Sequence, residues 1–190
     1  MSIKNIIICI STLFPMLLFS QPTNDNVFKY DLTGSFFSTQ ILSYEKVFYD
    51  NYASIQITAS GTLKQINIWD ELTAQLIGYS IEFQPRHYFD SILEIDNLYT
   101  GVYLKYSEHN LVVHTIQDKI DLLNGNSKVV GIVFGWQKEI ADRFYMDLTI
   151  GGGYHIADYS GRISQYGSLI PSIISNGFLP KLSIKAGYGF

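Results

Sequence analysis

From Lys29 onward, apolar and polar residues alternate one for one in short stretches along the chain. Tyr30, Leu32, Gly34 and Phe36 share one parity, with Lys29, Asp31, Thr33 and Ser35 on the other. Leu42 and Tyr44 stand against Ser43 and Glu45, and Ile55, Ile57 and Ala59 against Ser54, Gln56 and Thr58. Ile77, Tyr79, Ile81 and Phe83 oppose Gly78, Ser80, Glu82, Gln84 and Arg86. Val102, Leu104 and Tyr106 alternate with Gly101, Tyr103 and Lys105, and Val130, Ile132, Phe134 and Trp136 with Val129, Gly131, Val133 and Gly135. Phe144, Met146, Leu148 and Ile150 alternate with Tyr145, Asp147, Thr149 and Gly151, and Leu182 to Phe190 repeats the pattern. A period of two marks a strand with unlike faces. Eight such segments, each near ten residues, predict an all-β fold: the smallest up-and-down antiparallel transmembrane barrel.

The links point the same way. Those after the second, fourth and sixth strands ("FYDNY", "FDSILEIDN", "KEIADR") are short, and those after the third, fifth and seventh are long. With both termini at the periplasmic end, short links become periplasmic turns and long ones outer loops. Only the first link, around Ser38-Thr39-Gln40, is brief where length is expected. A soluble barrel of the lipocalin kind alternates too, but with its apolar face inward. Three features favour the membrane version. One face of each segment carries no charge at its centre, the opposite face holds small or polar groups, and aromatics gather near strand ends, where interface girdles belong. On this reading Ile132→Arg puts a charge into lipid at a cost of about 2–4 kcal/mol, and Gly131→Ser, on the other face, is expected to be milder.

Composition sharpens the picture. Charged residues are 16% of the 190, against roughly 25% in a typical soluble domain, while hydrophobic residues reach 47%. A formal charge of −4 excludes nucleic acid as an expected partner. The opening "MSIKNIIICISTLFPMLLFS" carries one basic residue and an apolar run too short to span, so residues 1–20 read as a cleaved signal peptide. A polar segment, 21–27, then precedes the barrel, 28–190. Cys9, the sole cysteine, leaves with the signal, which excludes disulfides and Cys-ligated metal from the exported chain.

The closing "YGF", with Tyr188 two before Phe190, resembles the C-terminal assembly signal of Gram-negative outer-membrane barrels. "SYEKVFYDNYASIQI", "EFQPRHYF" and "GWQKEIADRFYMDLTIGGGYHI" are similar to segments of small Bacteroidetes-type outer-membrane barrels. The resemblance is to the OmpA transmembrane domain and OmpX in architecture, and it spans nearly all of the mature chain. It implies an outer-membrane location in a Gram-negative bacterium. The partners it implies are outer-membrane lipid and, through Tyr188 and Phe190, the barrel-assembly machinery; no activity comes with it.

Candidate chemistry lies mainly on the inward faces. Glu82 and Arg86 sit four apart on one strand, and Glu45, Lys105, Tyr103, Tyr145, Asp147 and His155 face inward from others. Such groups are expected to pair into a polar plug, because an unpaired buried charge is costly; a narrow channel is the alternative. An outer-membrane lipid hydrolase or acyltransferase is a further alternative, drawing on His109 and His114 in the link after the fifth strand, with Ser107, Glu108 and Asp118 nearby. Their spacing matches no catalytic signature. Two histidines without a third ligand do not make a zinc site. "GGGYH" lacks the Lys-Ser/Thr of a phosphate loop, so Gly151 and Gly153 are expected to clear room for large lumenal neighbours. No catalytic residue, metal or cofactor is expected. Trp69, Leu72 and Leu76 are expected to extend the third and fourth strands above the membrane. The apolar residues Ile163, Tyr166, Leu169, Ile170, Ile173 and Ile174 of the last outer loop offer a surface for an unidentified protein or ligand. The expected role is non-enzymatic: envelope integrity, surface interaction, or the membrane part of an assembly.

Overall fold

The structure, a computed structural model, describes residues 25–36, 38–48, 52–69, 72–89, 97–114, 119–160 and 176–190. The expected signal peptide, the last-loop residues Ile163 to Ile174, and Asp118 lie outside these. Eight strands run β1 (Asn26–Asp31), β2 (Thr39–Phe48), β3 (Ala53–Trp69), β4 (Leu72–Phe89), β5 (Leu98–His114), β6 (Lys119–Ala141), β7 (Phe144–Ser160) and β8 (Gly177–Gly189). Each pairs antiparallel with its sequence neighbour, and β1 pairs with β8 to close the barrel. This is the all-β up-and-down barrel the alternation predicts.

Its facing is inverted relative to a soluble barrel. Ile57, Ile81, Phe83, Val102, Leu104, Val130, Ile132, Phe134, Ile150 and Leu182 are all exposed on the outside. The fully buried side chains are largely polar: Lys29, Glu45, Gln56, Gln84 and Asp147. Oil-like outside and polar inside is stable only where the outer solvent is itself apolar. Exposed lysines bracket the band on β6, Lys128 at one end and Lys138 at the other. Ten residues at about 3.3 Å each, tilted about 40°, rise about 25 Å, the height of the apolar belt of an outer-membrane barrel.

The first predicted strand is corrected. It ends at Asp31, and Leu32–Phe36 form a single helical turn, α1. Asp31 causes the break. Its Oδ1 accepts from the backbone N of Thr33 at 2.9 Å and of Gly34 at 3.3 Å, the work of a helix N-cap. Gly34 then lies so close to β2 that an added Cβ would stand 2.7 Å from Ile41.

The loop lengths are corrected as well. β3 and β4 run on to a link of only 70–71, and β5 and β6 to one of 115–118, while the turn-end link between β4 and β5 spans 90–97. The outer half is therefore built by strands that outgrow the lipid band, up to 23 residues in β6. Trp69, Leu72 and Leu76 fall in β3 and β4, as expected of strand extensions. His109 and His114 stand in β5 rather than in a loop.

Glycine explains how a narrow barrel accepts large inward groups. A Cβ at Gly131 would lie 2.4 Å from the Tyr103 ring, and at Gly153 2.7 Å from its hydroxyl. Gly135 gives the same room to Tyr99, and Gly151 to Val133. Gly131→Ser, expected to be milder than Ile132→Arg, still carries a steric cost: the carbonyl of Gly152 would also be 2.4 Å away, and a backbone atom cannot step aside.

Candidate functional site

Two distinct regions occupy the lumen. Toward the turn end, the inward residues of seven strands, β1 to β7, converge on one ion cluster. Lys29 of β1 donates from Nζ to Glu45 of β2 and Gln137 of β6, and to Asp147 of β7 at 2.6 Å. Arg86 of β4 donates from one terminal nitrogen to Asp147 at 2.8 Å, Gln137 at 3.2 Å and Glu45 at 3.4 Å. Its guanidinium also lies 4.2 Å from the centre of the Tyr99 ring. Tyr88 donates its hydroxyl to Glu45 at 2.6 Å, and Tyr99 to Asp147 at 2.7 Å. Ser54 donates to Glu45, and Thr149 and Tyr99 share a 2.6 Å hydrogen bond.

The cluster balances internally, two cations against two carboxylates, and Lys29 and Glu45 are 0% exposed. Desolvating four charges is favourable only when each is closely paired and further hydrogen-bonded, and that condition is met here. Tyr88, Tyr99, Tyr103, Val129 and Val133 pack as an apolar collar around and above it. The lumen at this level is filled with side chains.

Above the collar the lumen opens into a cavity of about 340 Å³. Small polar groups line much of it, among them Thr58, Ser60, Ser80 and Ser107, with Lys105, Lys181 and Lys185 between them. Glu82 bonds Lys181, whose ammonium stands 4.1 Å over the Tyr103 ring. Gln84, with its amide turned to satisfy both sides, donates to Glu82 at 3.1 Å and accepts from Arg86 Nε at 2.8 Å, linking the two regions.

The eight residues singled out from the sequence thus divide. Glu45, Arg86 and Asp147 meet in the cluster. Glu82 and Arg86, on one face with Gln84 between them, serve different regions. Tyr103 belongs to the collar, and Lys105 lines the cavity. His155 is buried higher on β7, and Tyr145 lies at the turn end, its hydroxyl 3.4 Å from Glu139 and its ring against Gly189. Lys29, Gln137, Tyr88, Tyr99, Lys181 and Lys185 escaped the sequence reading of the site. Of the assembly-signal pair, Tyr188 faces out against Phe144 with centroids 5.4 Å apart, and Phe190 donates its backbone N to Asn26 at 2.9 Å. The histidines considered for lipid chemistry are separated: His109 borders the cavity, and His114 lies at the outer end of β5.

An apolar exterior of bilayer height around a polar, ion-paired lumen defines a small eight-stranded outer-membrane barrel. The family model for DUF3575, described as a protein of unknown function, matches residues 43–169, and the chain belongs to that family. No curated protein matches it in sequence. Among solved structures it is similar to Ail, the attachment invasion locus protein of Yersinia pestis, with a TM-score of 0.52 and 10% identity over 87% of this chain and 95% of that one. At that identity the likeness concerns the fold.

Proposed function

We propose that this protein is a non-conducting barrel of a Gram-negative outer membrane, with a non-enzymatic role exercised at its outer surface. The observation that carries this reading is the ion cluster. Lys29, Arg86, Glu45, Asp147 and Gln137 cross-link β1, β2, β4, β6 and β7 through the middle of the lumen, leaving the charges no freedom to relay an ion. The polar work done there is structural: it staples the wall together from within.

Strands that outgrow the lipid band supply the place for the role. β3 to β6 carry their pairing well past the apolar belt and present a projecting sheet. Ail, which has the same fold, is called an attachment protein, and this supports surface interaction over a purely mechanical part in envelope integrity. Outer-membrane lipid surrounds the barrel, and the assembly machinery receives it through β8.

Planar-bilayer recording of the purified protein tests the closed lumen. The expected outcome is a silent bilayer, and steady stepwise currents would defeat the reading. Fractionation and protease shaving of intact cells test the location, with cleavage expected only outside the band.

A further inference from the structure

The cavity above the collar carries a feature that the structural plug does not require. Lys185 of β8 is 2% exposed to solvent, yet it makes no ion pair or hydrogen bond among the described residues. Its two cross-strand neighbours are aspartates, and both are engaged elsewhere. Asp147 is held by Lys29, Arg86 and Tyr99. Asp31 accepts from Thr33 and Gly34 through Oδ1, and from Ser183 at 2.5 Å through Oδ2. Lys105, on the opposite wall, likewise has no ion-pair partner among the described residues. Of the side chains lining the cavity, three are lysines and two are carboxylates, and one lysine–carboxylate pair, Lys181 with Glu82, is already closed.

A buried lysine whose nearby carboxylates are bonded to other groups is a costly arrangement in a fold. Here it adjoins a space large enough for a ligand, at the small end of known pockets of about 300–1,000 Å³. We propose that the outer half of the lumen is a binding site for a single anionic group, phosphate or carboxylate, held by Lys185 with Lys105 and Lys181. Thr58, Ser60, Ser80 and Ser107 add hydroxyl donors around it. The collar and ion cluster close the lumen below, so the ligand enters from the outer side or past α1. That flank is built differently from the rest of the wall. Gly177–Ile184 of β8 pair only with β7, and Thr39–Ile41 of β2 only with β3, so α1 stands where a strand would otherwise run. Leu182, 70% exposed, and Leu32 lie on the lipid side of that flank. The anionic group can therefore belong to a free solute or to an amphiphile whose tail remains in the membrane.

Calorimetric titration of the purified full chain, in a non-ionic detergent, with inorganic phosphate and separately with octyl phosphate tests the site. One saturable site per barrel is expected, weakened at least ten-fold by Lys185→Gln and by Lys105→Gln, and unchanged by Lys138→Gln on the outer surface. Glu82→Gln, which frees Lys181, is expected to tighten binding several-fold. Tighter octyl phosphate identifies an amphiphile, and equal affinity a free solute; both support the site. Absence of saturable binding of either probe by the parent chain overturns it, as does weakening by Lys138→Gln as large as by Lys105→Gln. If Lys185→Gln does not fold, Lys105→Gln and the parent titration still decide.

Discussion

The two halves of the lumen are written in the same alphabet of polar inward residues and come to opposite ends. Toward the turns, long side chains (Lys29, Gln56, Gln84, Arg86, Tyr88, Tyr99 and Gln137) reach the barrel axis and close every bond. Toward the outside, the same facing positions hold Ser60, Thr62, Ser80 and Ser107, which cannot reach across, and a cavity remains. Side-chain reach, more than polarity, separates a staple from a pocket. The lower half satisfies its charges internally, whereas the upper half leaves lysines over.

The sharpest way to break this contrast is to remove one charge from each half. Arg86→Met strands two carboxylates against a single lysine and is expected to cost about 3–5 kcal/mol in urea unfolding from lipid vesicles. Lys185→Gln, which removes a lysine with no ion pair among the described residues, is expected to leave the midpoint unchanged or raised. Equal losses would show that the two halves are one network. The contrast also presumes a common lipid-facing exterior, which Ile132→Arg probes: about 2–4 kcal/mol in the same assay. At the collar between the halves, Gly131→Ser drives a side chain into Tyr103 and the Gly152 carbonyl and is expected to cost about 1–3 kcal/mol. In the outer half, Ser80→Ala deletes the 2.6 Å bond to Ser60 and is expected to cost only about 0.5–1.5 kcal/mol. A larger loss there would mean that the cavity wall is as tightly built as the cluster.

Alternation made the barrel and its facing legible, because lipid outside and polar groups inside impose a strict period of two. The site was legible only in part. Glu45, Arg86 and Asp147 sit inside clearly alternating stretches and were found. Tyr88, Tyr99 and Gln137 lie just past the ends of those stretches, where the outward neighbours turn polar (His87, Thr100, Lys138) and the apolar signal fades although pairing continues. Lys29 was visible on an inward face, but alternation assigns a side and says nothing of height. Its meeting with Asp147, 118 residues away, depends on the stagger of the closed sheet. For the same reason alternation cannot separate Arg86 from Glu82, which share a face and serve different regions. α1 is hidden in the sequence because Leu32, Gly34 and Phe36 keep the strand period while Asp31, an ordinary N-cap residue, overrides it. His109 and His114 resemble loop residues in the sequence because the outer strands continue beyond the lipid, where the inside–outside contrast that marks a strand no longer applies.

The seam between β1 and β8 is stitched by five residue pairs, from Val27 with Gly189 to Asp31 with Lys185, and then stops. In mechanical terms the wall is a tube slit part-way down one side. Load on such a tube gathers at the tip of the slit. The tip here is Asp31, whose carboxylate holds the small helix with one oxygen and Ser183 of the far lip with the other, so a single side chain sits where the cylinder would tear.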